Sequence, residues 1–171
     1  MTDVAFRPGV VADAATIAAY HHRCWLVAFA DLVEPGAVAR LDPEGKLPRW
    51  RQWLTPGSGF DTVVADLDGR PIGHTTVNGS TLVHLFIDPD HWGLGLGRRL
   101  LAVGEALIAA AGHRDAELQT IVGNEPAIAL YRSAGWTVTD RIVEQEYGGL
   151  SYREHVLVKR LPEPSPEPPP G

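Results

Sequence analysis

The chain has 171 residues, of which 44% are hydrophobic, and its formal net charge at pH 7 is -6. This length and hydrophobic content suit one domain with one buried core. The negative charge argues against a nucleic-acid partner, because such proteins usually present a basic face. The only cysteine is Cys24, so an internal disulfide and a multi-cysteine metal site are excluded, and we expect no metal.

The two ends of the chain indicate where the domain lies. The first residues lack the basic segment and apolar stretch of a signal peptide, and no apolar run reaches membrane-spanning length. We therefore expect a cytoplasmic protein without membrane contact. Residues 162–171 alternate proline with glutamate and serine, which is typical of a disordered tail. The domain is expected to cover residues 1–161.

The first part of the chain predicts a short strand followed by two helices. The strand, "DVAFRPG", ends at Pro8. The segment "VADAATIAAYHHRCWLVAF" has apolar residues at helical spacing. Its predicted buried face comprises Ile17, Tyr20, Cys24, Val27 and Ala28. We interpret "HHRC" in this helix as exposed histidines beside a buried thiol, not as a metal site. After a loop, "LPRWRQWLTPG" predicts a second, short helix.

The second part changes to strand periodicity and back. Alternating β-branched residues, interrupted by Asp68–Gly69 and Asn78–Gly79, predict three antiparallel strands joined by tight turns. A helix that ends at Gly112 follows. Its predicted buried face comprises Leu96, Leu100, Val103 and Leu107. A strand, "DAELQTIVG", a helix, "EPAIALYRSAG", and two closing strands complete an α/β order of β-α-α-β-β-β-α-β-α-β-β.

A glycine turn, "HWGLGLGRRL", comes directly before the third helix. Glycine raises the entropy lost on ordering, so a compensating role is expected. Unpaired N–H groups at a helix start bind anions, and a phosphate site is therefore predicted. Arg98 occupies the third glycine position of a dinucleotide fingerprint, which excludes that motif, and no Gly-Lys-Ser/Thr of a P-loop occurs. The structural alternative is a turn packed closely against a strand.

Two segments resemble the GCN5-related N-acetyltransferases, the GNAT family. The segment "LVHLFIDPDHWGLGLGRRLL" resembles the family's acetyl-CoA-binding core, Gln/Arg-x-x-Gly-x-Gly/Ala after a strand. Gly95 and Gly97 match the two small positions, whereas Trp92 replaces the usual Gln or Arg. The segment "NEPAIALYRSAGW" is similar to a second family motif and contains Asn124 and Tyr131. The resemblance covers about residues 6–159 and implies a mixed, mostly antiparallel sheet with helices on both faces.

The resemblance also implies an activity and a cofactor site. A bound amine would attack the thioester of acetyl-CoA directly, which makes the protein an acetyl-CoA-dependent N-acetyltransferase. The diphosphate would bind main-chain N–H groups of the glycine turn, and the pantetheine arm would pair with a strand. The implied cofactor-binding residues are Leu85, Phe86, Ile87, Gly93, Leu94, Gly95, Leu96, Gly97, Arg98, Asn124 and Tyr131. Arg99 follows as a second arginine in the first helical turn.

Catalysis by acetyl transfer needs an acid and a route for a proton. By analogy with the family, Tyr131 would protonate the leaving thiolate, since a phenol with a pKa of about 10 stays protonated at neutral pH. The preferred base is His84, whose unperturbed pKa is near 6.5. Lesser candidates are His74, Glu34 and Glu125, and a water chain without a single base stays open.

The acceptor is expected to be a small-molecule amine. Trp25, Phe29 and Glu34 would form one wall of its site, although aromatics at this spacing also pack in cores. Some relatives that acetylate protein N-termini use a glutamate where this chain has Gln119, which weakens the case for a protein or peptide acceptor. A non-catalytic acyl-CoA-binding sensor or structural protein is a further alternative. A homodimer paired through "LSYREHVLVK" also stays open.

Overall fold

The computed structural model describes residues 4–163, so the predicted tail lies almost entirely outside the described residues. The strands are β1 (Ala5–Pro8), β2 (Asp61–Leu67), β3 (Arg70–Asn78), β4 (Thr81–Ile87), β5 (Asp115–Ile121), β6 (Thr137–Tyr147) and β7 (Leu150–Arg160). The α-helices are α1 (Ala14–Cys24), α2 (Leu47–Trp53), α3 (Leu96–Ala110) and α4 (Glu125–Ser133). This order confirms the predicted one. No helix between residues 4 and 163 has the length and hydrophobicity needed to cross a membrane.

The seven strands form one sheet in the order β1-β2-β3-β4-β5-β7-β6. All neighbours are antiparallel except β4 and β5, which are parallel. The predicted mixed, mostly antiparallel sheet is therefore confirmed. The closing strand "LSYREHVLVK" is β7, and it pairs with β5 on one side and β6 on the other. Pairing between subunits through this strand, which the sequence left open, is not available over residues 154–158, because both of its edges are already hydrogen-bonded there.

Helices cover both faces of the sheet, as expected. Val64 and Ala65 are neighbours in β2, so their side chains point to opposite faces. Val64 packs with residues of α1 and α2, whereas Ala65 packs with Leu96 and Leu100 of α3. Gly104 lets α3 approach the sheet, since a Cβ there would lie 2.8 Å from Leu82 Cδ1. The buried face of α3 comprises Leu96, Leu100, Leu101, Gly104 and Ile108. The predicted Val103 and Leu107 are only partly buried.

The first helix changes its pitch at its C-terminal end. Three predicted core positions are buried: Ile17, Tyr20 and Cys24. Val27, however, is 61% exposed. The reason is a π-helical turn, Trp25–Phe29, that directly follows α1. A π-turn takes more residues per turn than an α-helix, and such turns are frequent at functional sites. The altered phase directs Trp25 and Phe29 inward and turns Val27 to the surface.

Candidate active site

The sheet opens between its two parallel strands. β4 and β5 pair at only two positions, Thr81 with Glu117 and Leu82 with Leu118. Directly beyond the second pair, the β3–β4 register shifts and Val83 becomes an extra residue in β4. A bulge of this kind bends its strand. The two strands therefore separate toward their carboxyl ends, and each leaves main-chain groups facing the gap.

A cavity of about 700 Å³ occupies this gap and reaches both faces of the sheet. On one side, here called the α4 side, it is lined by Trp92, Gly97, Asn124, Ala127, Leu130 and Tyr131. On the other, the α1 side, it is lined by His21, Trp25, Phe29, Lys46, Arg49, Trp53, His84, Phe86, Gln119, Gln145, Tyr152 and Glu154. Two molecules that approach from opposite faces can therefore meet in the gap.

The glycine turn at the α4 side has the geometry of an anion site. Gly93 and Gly95 have φ values of +80° and +73°, in the left-handed region that favours glycine. The first hydrogen bond of α3 runs from the Arg99 N–H to the Gly95 carbonyl at 3.4 Å. The N–H groups of residues 96–98 precede it, so they lack a helical acceptor. They point to the space beyond the helix start, where the dipole favours a negative charge.

Close packing does not explain two of the three glycines of the turn, Gly93 and Gly95. A Cβ added to Gly93 or Gly95 would meet no atom within 4 Å among the described residues. The alternative of a turn pressed against a strand therefore lacks support at these two positions. Gly97 differs, since a Cβ there would lie 3.2 Å from Leu130 Cδ2. Its small size allows α3 to pack beside α4, and it lines the cavity. Leu94 is exposed and Leu96 is buried in the core.

The two arginines after the turn direct their side chains to neighbours. Arg98 Nη2 donates to Ser133 Oγ at 2.8 Å. The Arg99 guanidinium lies 4.5 Å from the centre of the Phe6 ring. Both side chains are exposed. Arg98 therefore offers an anion at the helix start its main-chain N–H and not its guanidinium.

The main chain of β4 offers two of the three predicted residues to the gap. The Asp88 N–H donates to the Ile72 carbonyl at 2.8 Å. Hydrogen-bonded pairs alternate along an antiparallel ladder, so the main chain of Phe86 pairs with β3. Leu85 and Ile87 direct their N–H and C=O groups away from β3, into the gap. The expected main-chain role therefore fits Leu85 and Ile87 but not Phe86, whose ring borders the cavity instead.

Trp92 alters which main-chain groups are free at the end of β4. Its indole N–H donates to the Ile87 carbonyl at 2.9 Å, and the Cys24 thiol donates to the same oxygen at 3.2 Å. The Ile87 carbonyl is therefore already bonded, which leaves its N–H and the main chain of Leu85 for a ligand. This contact is a consequence of tryptophan at the position where the family usually has Gln or Arg.

Tyr131 and Asn124 are brought together at the α4 side. Tyr131 is 6% exposed, and its hydroxyl makes no hydrogen bond within residues 4–163. Burial raises the pKa of Tyr131, so the phenol is protonated at neutral pH. Asn124 begins α4 without a side-chain cap, and its Nδ2 lies 3.5 Å from Thr120 Oγ1. Its amide therefore faces the cavity rather than capping the helix.

A cluster of histidines at the α1 side was not predicted. His21, expected to be exposed, is 1% exposed and lies against His84 with ring centres 5.5 Å apart. His74 is fully buried, and its Nδ1 lies 2.6 Å from the Tyr20 hydroxyl. The hairpin pattern could have predicted that His74 and His84 share a face of the sheet. His74 pairs with Phe86 across the hairpin of β3 and β4, and Phe86 and His84 are two residues apart in one strand, so their side chains point to the same face.

Burial keeps these imidazoles neutral. Desolvation lowers the pKa of His74 to about 3 and that of His21 and His84 well below 6.5. Nearby positive charge, including that of Lys46, lowers the pKa of His84 further. His84 Nδ1 is buried without a partner in the part of the chain described. His84 is thus available as a hydrogen-bond acceptor at neutral pH, but its imidazolium is disfavoured.

Two ionisable residues that the sequence did not single out line the α1 side. Lys46 places its ammonium 3.7 Å from the centre of the Tyr147 ring, and burial lowers its pKa to about 8. Glu154, in β7, lies across from Ile121 of β5. Burial raises the pKa of Glu154, and the Gln145 amide and the charge of Lys46 offset part of that effect.

Three of the predicted acid–base candidates do not reach the cavity. The Glu34 side chain is 73% exposed and lies 3.5 Å from Arg40. Glu125 is exposed at the start of α4, and His74 lies behind the cavity wall. The predicted wall of Trp25, Phe29 and Glu34 is therefore corrected, because only its aromatic members line the cavity. Among residues 4–163 no group of three His, Cys, Asp or Glu side chains could hold a metal ion.

The parallel strands separate beside a glycine turn, and the cavity between them is open to both faces of the sheet. This arrangement suits a transferase that moves a group from one substrate to another. The chain belongs to the acetyltransferase (GNAT) family, whose model matches residues 16–136. This match confirms the family resemblance that was based on the glycine turn and on the segment with Asn124 and Tyr131.

Individual relatives agree with this assignment. The mycothiol acetyltransferase of Clavibacter sepedonicus is 35% identical over 124 residues, which are 70% of this chain and 39% of that protein. The chain therefore spans less than half the length of that relative. A GCN5-related N-acetyltransferase from Rhodopseudomonas palustris superposes with a TM-score of 0.79 at 23% identity, covering 94% of this chain and 98% of that one. The PaiA N-acetyltransferase of Thermoplasma acidophilum, in complex with coenzyme A, has a TM-score of 0.75 at 16% identity, covering 92% and 99%. Both likenesses establish the fold.

Proposed function

We propose that the protein is an acetyl-CoA-dependent N-acetyltransferase that acetylates the primary amine of a small molecule. The observation that carries this proposal is the cavity between β4 and β5. It has main-chain N–H groups of a glycine turn at the α4 side and charged and aromatic side chains at the α1 side. The relatives named for mycothiol acetylation support a small-molecule acceptor. We also propose a cytoplasmic location and one catalytic domain over residues 1–161, as the sequence led us to expect.

The α4 side fits acetyl-CoA through its main chain. The N–H groups of residues 96–98 would bind the diphosphate, as helix starts do elsewhere. The free main-chain groups of Leu85 and Ile87 would pair with the pantetheine amides, in the manner of an added strand. Asn124 offers its side-chain amide to the same arm. The coenzyme A bound in the structurally similar PaiA enzyme supports this assignment.

Tyr131 is the proposed general acid. Acetyl-CoA supplies an activated acetyl group, and the neutral amine attacks its carbonyl carbon directly. A C–N bond forms, the C–S bond breaks, and the Tyr131 hydroxyl donates its proton to the departing sulfur. The new amide nitrogen loses its extra proton, and a proton returned through water restores the Tyr131 hydroxyl. Burial without a hydrogen-bond partner leaves this proton free for that donation.

The α1 side must remove a proton from the amine. A lysine-like amine has a pKa of about 10.4, so it arrives mainly as ammonium. His84 is neutral and borders the cavity, which fits it to accept a proton through water. Because its imidazolium is disfavoured, it would pass the proton on rather than keep it. Direct attack needs no covalent enzyme intermediate.

Calorimetry and a thiol-release assay test this function. Wild-type protein is expected to bind acetyl-CoA and to release coenzyme A thiol with at least one primary amine from a panel. Tyr131→Phe is expected to lower kcat about tenfold or more while acetyl-CoA affinity persists. Binding without release from any amine would favour the sensor. An undiminished rate in Tyr131→Phe would remove Tyr131 from the mechanism.

A further inference from the structure

Two cations at the α1 side of the cavity form no ion pair among the described residues. Lys46 directly precedes α2 and Arg49 lies in its first turn, and both line the cavity. Within residues 4–163, neither has a carboxylate oxygen within 4.0 Å. Each rests on an aromatic ring instead: the Lys46 ammonium on Tyr147 and the Arg49 guanidinium 5.8 Å from the centre of the Trp53 ring.

Apart from Lys46, the partly buried lysines and arginines of residues 4–163 are paired. Arg7 contacts Asp13 and Asp66, and Lys159 Nζ lies 2.7 Å from Glu105. Such pairing is the rule, because a charge removed from water is costly unless an opposite charge or hydrogen bonds compensate. Lys46 is partly buried and departs from that rule, whereas Arg49 is exposed beside it at the mouth of the cavity. A bound molecule can supply the opposite charge to both.

The position of these cations separates them from the diphosphate site. α2 packs with α1 on one face of the sheet, whereas the glycine turn precedes α3 on the opposite face. Burial lowers the pKa of Lys46 to about 8, so the ammonium stays mainly protonated at pH 7. Glu154 lines the same side but lies beyond 4.0 Å from both cations. It is placed to receive a positively charged group.

We propose that the acceptor carries a carboxylate beside its primary amine, and that Lys46 and Arg49 bind this carboxylate. The inference rests on the proposed acetyl transfer and specifies its substrate class as amino acids or compounds shaped like them. The planar guanidinium of Arg49 matches a carboxylate, and the Lys46 ammonium adds a second charge. The amine would then extend toward Glu154 and the gap, between the aromatic walls of Trp25 and Tyr152.

Matched pairs of amines test the proposal. Thiol release is measured with L-phenylalanine, L-leucine and L-methionine and with the carboxamide of each. We expect kcat/KM to be about tenfold or more higher for at least one acid than for its amide. Loss of the carboxylate also lowers the pKa of the amine, which by itself favours the amide. The measured preference for the acid is thus a lower bound on the effect of binding its carboxylate.

Three variants complete the experiment. Arg49→Gln and Lys46→Met are expected to lower kcat/KM for the acid about tenfold and for its amide less than threefold. Arg51→Gln removes the same charge from an exposed position of α2 that does not line the cavity, and it is expected to leave both values unchanged. Melting temperatures of the variants check folding.

The outcomes separate the two proposals. Equal kcat/KM for acids and amides in wild type, with thiol release, would overturn the carboxylate site and leave acetyl transfer standing. A raised KM for acetyl-CoA in Arg49→Gln, without a change in acid preference, would assign the cations to the cofactor and also overturn it. No release with any amine would contradict the proposed function, and the carboxylate site would fall with it.

Discussion

The two sides of the cavity are built in different ways. At the α4 side, the groups in position for a ligand are main-chain N–H and C=O groups of a glycine turn and of β4. At the α1 side, they are side chains from α1, α2, β4 and β7, which are far apart in the sequence. Binding at the α4 side therefore depends on backbone conformation and is expected to tolerate changes of side chain. Binding at the α1 side depends on which side chains are present, so its specificity is expected to change with them.

The largest expected effect concerns the histidines at the α1 side. Their pKa values are lowered in the folded state, so below pH 6.5 the unfolded chain binds protons that the folded chain does not. Stability is therefore lost as the pH falls. Because the pKa of His74 is lowered to about 3, this residue alone costs about 2 kcal/mol between pH 6.5 and pH 5. His21 and His84 act in the same direction. Urea unfolding at the two pH values measures the sum.

A pair of substitutions assigns this loss to the cluster. His21→Phe is expected to flatten the dependence of stability on pH, whatever it does to stability at pH 7. His113→Phe, at an exposed histidine, is expected to leave the dependence unchanged. If His21→Phe loses stability with the same slope as wild type, His21 is not a cause of the acid sensitivity.

The second expected effect tests the backbone design of the α4 side. Gly95→Ala forces a non-glycine residue to a φ of +73°, although nothing blocks the added Cβ among the described residues. The left-handed conformation costs about 1–2 kcal/mol, which corresponds to about tenfold weaker acetyl-CoA binding if the turn relaxes to avoid it. Gly112→Ala carries the same strain at a φ of +88°, also in open space, at the far end of α3. It should lower stability similarly and leave binding intact. Equal binding losses in both would point to a global effect.

The contrast also explains what the sequence could predict. The strand order, the helix positions and the candidate turn follow from local patterns, since hairpin turns, caps and glycine spacing act over a few residues. Tyr131 and Asn124 were predicted to lie at one site because they belong to one motif, and both line the cavity. Lys46 and Glu154 were missed because they are 108 positions apart in the sequence, and only the tertiary fold brings them to one cavity. Val27 was misplaced because the pitch change after Cys24 depends on tertiary packing.

A smaller effect links the charge of Lys46 to acceptor choice. The ammonium is protonated below its pKa of about 8 and neutral above it. If Lys46 binds a carboxylate, the preference for an acid over its amide should fall severalfold between pH 7 and pH 9. The other charged groups near Lys46 are Arg49 and Glu154. In Lys46→Met the preference should depend on pH only through the amines. A parallel fall in wild type and Lys46→Met would show that Lys46 is not responsible.

The smallest expected effect comes from replacing Trp92, which stands before the glycine turn where the family usually has Gln or Arg. Trp92 is 46% exposed, and its indole N–H bonds the Ile87 carbonyl. Trp92→Gln introduces the residue that the family usually has there. If main-chain groups of residues 96–98 bind the diphosphate, acetyl-CoA affinity should change less than about threefold, within the range of one neutral hydrogen bond. A loss of more than tenfold, measured by calorimetry, would mean that the indole itself supports the bound arm, and the α4 side would then depend on its side chains as the α1 side does.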